Sequence, residues 1–318
     1  MTTRAVVLGA GGFIGHHLVS FLKDKGYWVR GVDIKYPEYE ETKADEFHIL
    51  DLRFRAECTS AVTGADHVYH LAADMGGIGY ISAQHASIAM NDTLINANVL
   101  DVSRILGVER FFYSSSACIY PGYLQHTPDV TPLREDQAYP ADAEAGYGWE
   151  KLFMELLCQY HAEDYGMQTR VARFHNVYGP LGTFDGGKEK APAAICRKVS
   201  LAKTGDDIEI WGDGEQTRSF MHVDDCVEGI YRIMQSNYSL PLNLGRDDMV
   251  SINELVDLVC EISGKKLIKK HDLTKPQGVR GRNSDNTLCK SVLGWEPVID
   301  LKTGLNETYR WIDHYLNN

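Results

Sequence analysis

Tyr147 and Lys151 stand four residues apart in Tyr147-Gly148-Trp149-Glu150-Lys151, a spacing that puts both side chains on one face of a helix. An ammonium beside a phenol lowers the phenol's pKa, so the pair predicts a base for a hydroxyl proton near neutral pH. Upstream, Ser114-Ser115-Ser116-Ala117-Cys118 ends in two further groups of interest. Ser116, at a strand end, can hydrogen-bond the same substrate oxygen and steer its proton. Cys118, two residues on, is expected on the same face of the extended chain end. Its thiol can act as a base toward carbon if nearby positive charge lowers its pKa; the plain alternative is a buried core thiol. A Tyr-x-x-x-Lys by itself is common, and its weight comes from the elements that would position it.

Those begin at the N-terminus. Arg4–Leu8 is a short apolar run followed by Gly9-Ala10-Gly11-Gly12-Phe13-Ile14-Gly15 and an amphipathic stretch to Lys25. Strand, glycine turn and helix in that order are the context of a dinucleotide-binding turn. Gly9 allows the tight turn, Gly12 the approach of a pyrophosphate, and Gly15 close helix packing. The free N–H groups at the helix start, at Phe13 and Ile14, face the phosphates. The next strand, Trp28–Asp33, ends in an acid. A carboxylate there accepts from a ribose 2′-hydroxyl and repels a 2′-phosphate, which favours NAD over NADP. Asp51 and Leu52, past a third strand, are expected at the adenine end, and Ala72 beside the pyrophosphate.

The chain has 318 residues, 44% hydrophobic and 24% charged, with a net charge of −12. This composition describes a globular protein with a sizeable core and argues against a nucleic-acid surface. The seven cysteines are scattered without a Cys-x-x-Cys pair, which fits reduced thiols in the cytoplasm. No stretch has the length of a membrane span, and no apolar signal segment opens the chain. No histidine spacing suggests a ligand set, so no metal is expected.

Strands are expected at Arg4–Leu8, Trp28–Asp33, Glu46–Leu50, His67–Leu71, Arg110–Ser115 and Thr169–Phe174. Helices are expected at Phe13–Lys25, Arg55–Val62, Asn91–Ile105 and Tyr147–Tyr165. This alternation predicts an α/β fold, a doubly wound parallel Rossmann sheet with a smaller α/β C-terminal substrate-binding lobe. His222–Gln235 and Leu242–Leu244 should return to the sheet, and Ser251 with Glu254 makes a capping box for a helix to Ser263. The resulting division is residues 1–176 with about 219–246 for the cofactor domain, and about 177–218 with 247–318 for the other lobe, interwoven. The apolar helices 91–105 and 147–165 predict a homodimer seam.

Together, Gly9-x-x-Gly12-x-x-Gly15, Asp33, Asp51, Ser116 and Tyr147-x-x-x-Lys151 resemble the extended branch of the short-chain dehydrogenase/reductases, over essentially the whole chain. Narrower segments (Leu71–Gly79, Ser115–Pro121, Arg173–Pro180, Gly187–Ala194, Trp211–Phe220 and Gly278–Asn286) are similar to those branch members that epimerise a GDP-hexose at C3 and C5. The resemblance implies NAD-dependent conversion of GDP-D-mannose to GDP-L-galactose, with GDP-L-gulose as a second product. Oxidation at C4 acidifies the hydrogens at C3 and C5, and re-reduction leaves the cofactor unchanged. In this reading Tyr147, Lys151 and Ser116 serve C4, Cys118 is the carbon base, and Lys190 is the acid on the opposite face of the ring. Implied substrate contacts are Gly76, Ser116, Asn176, Lys190, Lys198, Gln216, Arg218 and Arg282. Arg280 and Arg218 equally suit surface ion pairs, and Lys190 a solvated loop.

A UDP-sugar 4-epimerase remains the nearest alternative, because it uses the same tyrosine and NAD and leaves Cys118 and Lys190 idle. A 4,6-dehydratase would want an acid where Ala117-Cys118 stands. A nucleotide sensor on a dead dehydrogenase frame would have no need of Ser116, Tyr147 and Lys151 together.

Overall fold

The computed structural model describes residues 2–81 and 83–318. In chain order its first half runs β1 (Arg4–Leu8), α1 (Phe13–Asp24), β2 (Trp28–Asp33), β3 (Glu46–Ile49), α2 (Arg55–Val62), β4 (His67–His70), α3 (Ile78–Ile81), α4 (His85–Ile105), β5 (Arg110–Ser116), α5 (Ala145–Tyr165) and β6 (Gln168–Phe174). There follow β7 (Val177–Tyr178), α6 (Ala191–Leu201), β8 (Asp207–Trp211), β9 (Thr217–Arg218), β10 (Met221–His222), α7 (Val223–Gln235) and β11 (Leu242–Leu244). The chain closes with β12 (Val250–Ser251), α8 (Ile252–Ser263), β13 (Ile268–Asp272), β14 (Gly281–Arg282), α9 (Thr287–Leu293) and α10 (Leu301–Asn317).

The main sheet has seven strands in the order β3-β2-β1-β4-β5-β6-β11, all parallel. Winding runs outward from β1 in one direction and from β4 in the other, so the crevice between the C-terminal ends of those two strands is the switch point where α/β sheets bind ligands. Because both faces are covered, the central strand β1 reads as an almost continuous apolar run. On one face α1 and α7 bury Leu18, Val19, Leu22, Ile230 and Ile233. On the other, α4 and α5 bury Val99, Leu100, Met154 and Cys158. Each such side chain contributes about 1.5–3 kcal/mol of hydrophobic stabilisation.

The second lobe packs α6, α8 and α10 on the parallel pair β8–β13, around Cys196, Val199, Ile208, Ile210, Leu255, Leu305 and Ile312. A three-stranded sheet, β12-β9-β14, links it to the crevice. Ser251 and Glu254 form the capping box at the start of α8. The lobes interlock in both directions. Tyr39, from the loop after β2, packs edge-on against Trp311 of α10, and Leu288, Val292 and Trp295 pack on the core under α7.

Most element ends shift by one or two residues from the sequence reading, and two differences bear on the site. Helix α4 starts at His85, not at Asn91, because its first turns bury only Ile88 and so show no apolar stripe. Strand β5 runs on to Ser116, and Ala117–Ile119 form a 3₁₀ turn.

Candidate active site

At the crevice, β1 passes into α1 through a turn in which Gly9 has φ +87°, a left-handed conformation open to glycine. A Cβ at Gly15 would lie 2.0 Å from the Gly9 carbonyl oxygen, so that glycine seats α1 on the turn itself. Gly12 caps the helix without any side-chain hydrogen bond, leaving the first N–H groups, among them those of Phe13 and Ile14, for an anion. A dinucleotide pyrophosphate fits this cradle. Asp33 closes the next strand, and its carboxylate accepts from Gly11 N at 2.9 Å and Ile34 N at 2.7 Å. Burial pushes its pKa up while those N–H groups pull it down. Its place at the end of β2 suits a ribose, and it also holds the glycine turn. Ala72 packs its main chain over Gly9. Leu52 is buried, and Asp51 ion-pairs with Arg53 at 2.6 Å.

Ser116, Tyr147 and Lys151 converge where β5 ends against α5, and all three are buried. Lys151 donates to the Ser114 carbonyl at 3.1 Å, and its ammonium lies 5.6 Å from the centre of the Tyr147 ring. The expected lowering of the phenol pKa is not what this geometry produces. Burial drives the Tyr147 pKa well above its ordinary value, the charges of Cys118, Asp92 and Glu150 add to it, and Ser116 opposes it. The ammonium is spent on a carbonyl and two ring faces, so a phenolate needs further positive charge beside it. Beneath Ser116, Arg173 of β6 makes a buried ion pair with Glu155 of α5 at 2.8 Å, and Ser115 and Tyr120 add hydrogen bonds to it.

Cys118 is reached differently from the two-residue alternation expected of an extended chain. Ser116 Oγ accepts the Cys118 N–H at 3.2 Å and caps the 3₁₀ turn that carries the thiol. Arg282 of β14 donates to Cys118 Sγ at 3.5 Å and to Glu144 at 2.9 Å, while Gln125 holds its Nε. Burial raises the thiol pKa, the guanidinium lowers it and the Glu144 carboxylate raises it. Helix α5 approaches this turn so closely that a Cβ at Gly148 would lie 2.3 Å from the Cys118 carbonyl oxygen.

Lys190 stands at the N-cap of α6. Burial pulls its pKa down, and the Cys118 and Cys226 thiols push it up. Its neighbours turn elsewhere: Lys188 pairs with Asp74 at 3.7 Å and Glu189 with Arg197 at 3.6 Å. The loop is held by Gly77, whose N–H donates to the Lys188 carbonyl at 3.0 Å. Gly76 beside it is pressed against Tyr80.

Register sets the remaining cations. Arg218 and Arg282 face each other across the β9–β14 pair, and burial beside this like charge lowers the Arg218 pKa to about 10. Gln216 is buried with its Oε1 unpartnered. Asn176 donates to Ser219 O at 3.1 Å. The structure thus gathers Ser116, Cys118, Tyr147, Lys151, Lys190, Arg218 and Arg282. It does not free Lys198, bound to Glu209 O at 2.9 Å, or Arg280, paired with Asp213 at 2.9 Å. Glu144, Gln125 and Asp92 were missed. Glu144 stands just before α5, whereas nothing in the sequence marks the other two. His222, Asp224 and Glu307 bring candidate ligand atoms within 4.8 Å of one another, but His222 Nδ1 is engaged in capping α7.

The model of the NAD dependent epimerase/dehydratase family matches residues 5–245. The chain is 49% identical over 311 residues to GDP-mannose 3,5-epimerase 1 of Oryza sativa subsp. japonica, covering 97% of this chain and 81% of that protein. It is 48% identical over 308 residues to GDP-mannose 3,5-epimerase of Arabidopsis thaliana, covering 96% and 81%. Among solved structures, UDP-glucose 4-epimerase of Thermotoga maritima with UDP-glucose superposes with a TM-score of 0.89 at 26% identity, covering 99% of this chain and 100% of that one.

Proposed function

Since this chain belongs to the NAD-dependent epimerase/dehydratase family, we propose that it inverts C3 and C5 of GDP-mannose, yielding GDP-L-galactose and, where C5 alone is inverted, GDP-L-gulose. It is an epimerase, and NAD is its cofactor. The observation that carries the reading is the Cys118 thiol, set by the turn that Ser116 caps and met by the Arg282 guanidinium at 3.5 Å, with Lys190 at the N-cap of α6. A 4-epimerase has no use for a carbon acid and base, whereas inversion at C3 and C5 requires both.

Bound NAD supplies the hydride acceptor, and later the donor, for C4. Gly9, Gly12, Phe13, Ile14, Gly15, Asp33, Asp51, Leu52 and Ala72 are the residues we assign to holding it, with Tyr147 and Lys151. Tyr147 takes the C4 hydroxyl proton, Ser116 orients that oxygen, and Lys151 keeps the local charge positive. With C4 at the ketone level, the Cys118 thiolate removes the acidified proton at C5 or C3. Lys190 delivers a proton from the opposite face, which inverts the centre. Arg282 holds the thiol in place and with Arg218 supplies positive charge toward the diphosphate; Gly76, Asn176 and Gln216 complete the proposed contacts, and Lys198 joins them only by leaving Glu209. The buried, unpartnered Gln216 Oε1 supports a donor from the substrate there.

Helices α4 and α5 leave Met90, Leu94, Trp149, Phe153 and Tyr160 exposed, which supports a homodimer built on them. Seven free cysteines support a reducing cytoplasmic setting, and no helix is long and apolar enough to cross a membrane among the residues described. The lobes divide most simply as residues 1–176 with about 219–246, and 177–218 with 247–318.

Proton NMR of GDP-mannose turning over in heavy water without added NAD tests the assignment. Deuterium entering C3 and C5 but not C4 is the expected result. Inversion at C4 without solvent exchange, on GDP-mannose or a UDP-sugar, would instead make the protein a 4-epimerase, the reading that the structural likeness to UDP-glucose 4-epimerase supports.

A further inference from the structure

Behind the Tyr147–Lys151 pair lies a buried group that the chemistry above leaves unused. Asp92 of α4 has no solvent exposure. One carboxyl oxygen accepts the Asp74 N–H at 2.6 Å, and the other is buried without a partner. Facing it from α5 are Lys151, whose charge stabilises its ionised form, and Glu150, whose charge opposes it. Glu150 is itself buried, with one oxygen on Asn96 and the other unpartnered. From the end of β4 come Asp74 and the fully buried His70, which burial and Lys151 keep neutral. Tyr113 of β5 hydrogen-bonds Asn96.

One ammonium therefore sits among two buried carboxyl groups. Ionising both would leave an uncompensated negative charge out of water, which burial penalises heavily. One of the two must hold a proton near neutrality, and Asp92, tied to the substrate loop, is the better placed to have its state felt. Its partner Asp74 also accepts from Tyr80 and Asn91 and pairs with Lys188, in the loops that carry Gly76 and Lys190. Tyr147 senses the same carboxylate, since the Asp92 charge disfavours its phenolate.

We propose that Asp92 is a positioning residue whose proton tunes the Tyr147–Lys151 base and whose carboxyl ties that base to the loops bearing Gly76 and Lys190. Protonated Asp92 leaves Glu150 alone to balance the Lys151 charge and makes Tyr147 the stronger acid. Ionised Asp92 offsets that charge and opposes loss of the phenol proton. As an activity this inference rests on the epimerase reading; as an electrostatic coupling it can be read without turnover.

The test compares wild type with Asp92→Asn, which keeps the acceptor for Asp74 N–H, and with Asp92→Ala, which removes it. The NAD-bound proteins are titrated by phenolate absorbance, with Tyr147→Phe as the blank, and the pH profile of kcat and kcat/KM on GDP-mannose is recorded in parallel. Asp92→Asn should lower the Tyr147 titration and the acidic limb of kcat/KM by about one pH unit with KM within about twofold. Asp92→Ala should in addition raise KM by about tenfold or more. A phenolate titration in Asp92→Asn that superimposes on wild type overturns the proposal whether or not GDP-mannose turns over. The expected shift in a protein inactive on GDP-mannose leaves the Asp92 coupling standing and sinks the substrate assignment alone.

Discussion

The reactivity of Cys118 gives the sharpest check on the site, because two neighbours of opposite charge act on one thiol. Arg282 lies 3.5 Å from Sγ. At an effective dielectric of about 20, that separation is worth about 5 kcal/mol of attraction for a thiolate, or about 3.5 pKa units at 1.36 kcal/mol each. Glu144, 2.9 Å from the same guanidinium, cancels part of it, so removing Arg282 should raise the thiol pKa by about one to three units. Arg282→Gln is accordingly expected to slow alkylation of Cys118 by iodoacetamide by at least about tenfold near neutral pH. Glu144→Gln, which removes the charge that opposes the thiolate, should accelerate it. Peptide mapping by mass spectrometry isolates the signal, since burial holds Cys58, Cys196 and Cys289 up at about 12. If Arg282→Gln left the rate unchanged or raised it while far-UV circular dichroism and NAD content stayed native, the claim that the guanidinium activates this thiol would be refuted. Equal slowing in both variants would mean that the two residues act through packing and not through charge.

Other substitutions test the frame around the site. Glu155→Gln leaves the Arg173 guanidinium buried and half-paired and should cost about 3–5 kcal/mol in denaturant unfolding; a loss below 1 kcal/mol would show that water reaches the pair. Gly15→Ala drives a Cβ to 2.0 Å from the Gly9 carbonyl oxygen, so the protein should purify without NAD even if it folds, as absorbance of the released nucleotide would reveal. Asp92 has its pKa raised from 3.8 to about 7 in the fold, so over that window the native state binds more protons than the unfolded chain. Its contribution is fully present below 3.8 and is lost as pH rises through about 7, a span of about 4 kcal/mol. Asp92→Asn should therefore flatten the fall of stability with rising pH in chemical denaturation, and an unchanged slope would argue against a buried titrating carboxyl.

Local pattern was enough for most of the fold. The glycine turn after β1, the acid closing β2 and the four-residue step from Tyr147 to Lys151 are contiguous features, because each depends on backbone geometry over a few residues. The Ser251–Glu254 box was legible for the same reason. Helix α4 was read short because its first turns bury too little to leave a stripe. Cys118 was picked correctly as a neighbour of Ser116 but for a reason the backbone does not obey, since a 3₁₀ turn and not an extended strand presents it.

Charge environment belongs to a different scale. Whether Lys151 lowers the Tyr147 pKa depends on what else is buried beside both, and Asp92 and Glu150 reach that place from two helices. Arg282 meets Cys118 from the far end of the chain, across a strand pair of two residues. Lys188 pairs with Asp74 while Lys190 takes the N-cap of α6, although the sequence offers no distinction between them. By itself, then, the sequence determined the element order, the glycine turn after β1 and the four-residue step from Tyr147 to Lys151, all properties of short segments. Only the tertiary structure decided which charges share one low-dielectric pocket, because pKa values are set by distance and desolvation, and neither exists until the chain is folded.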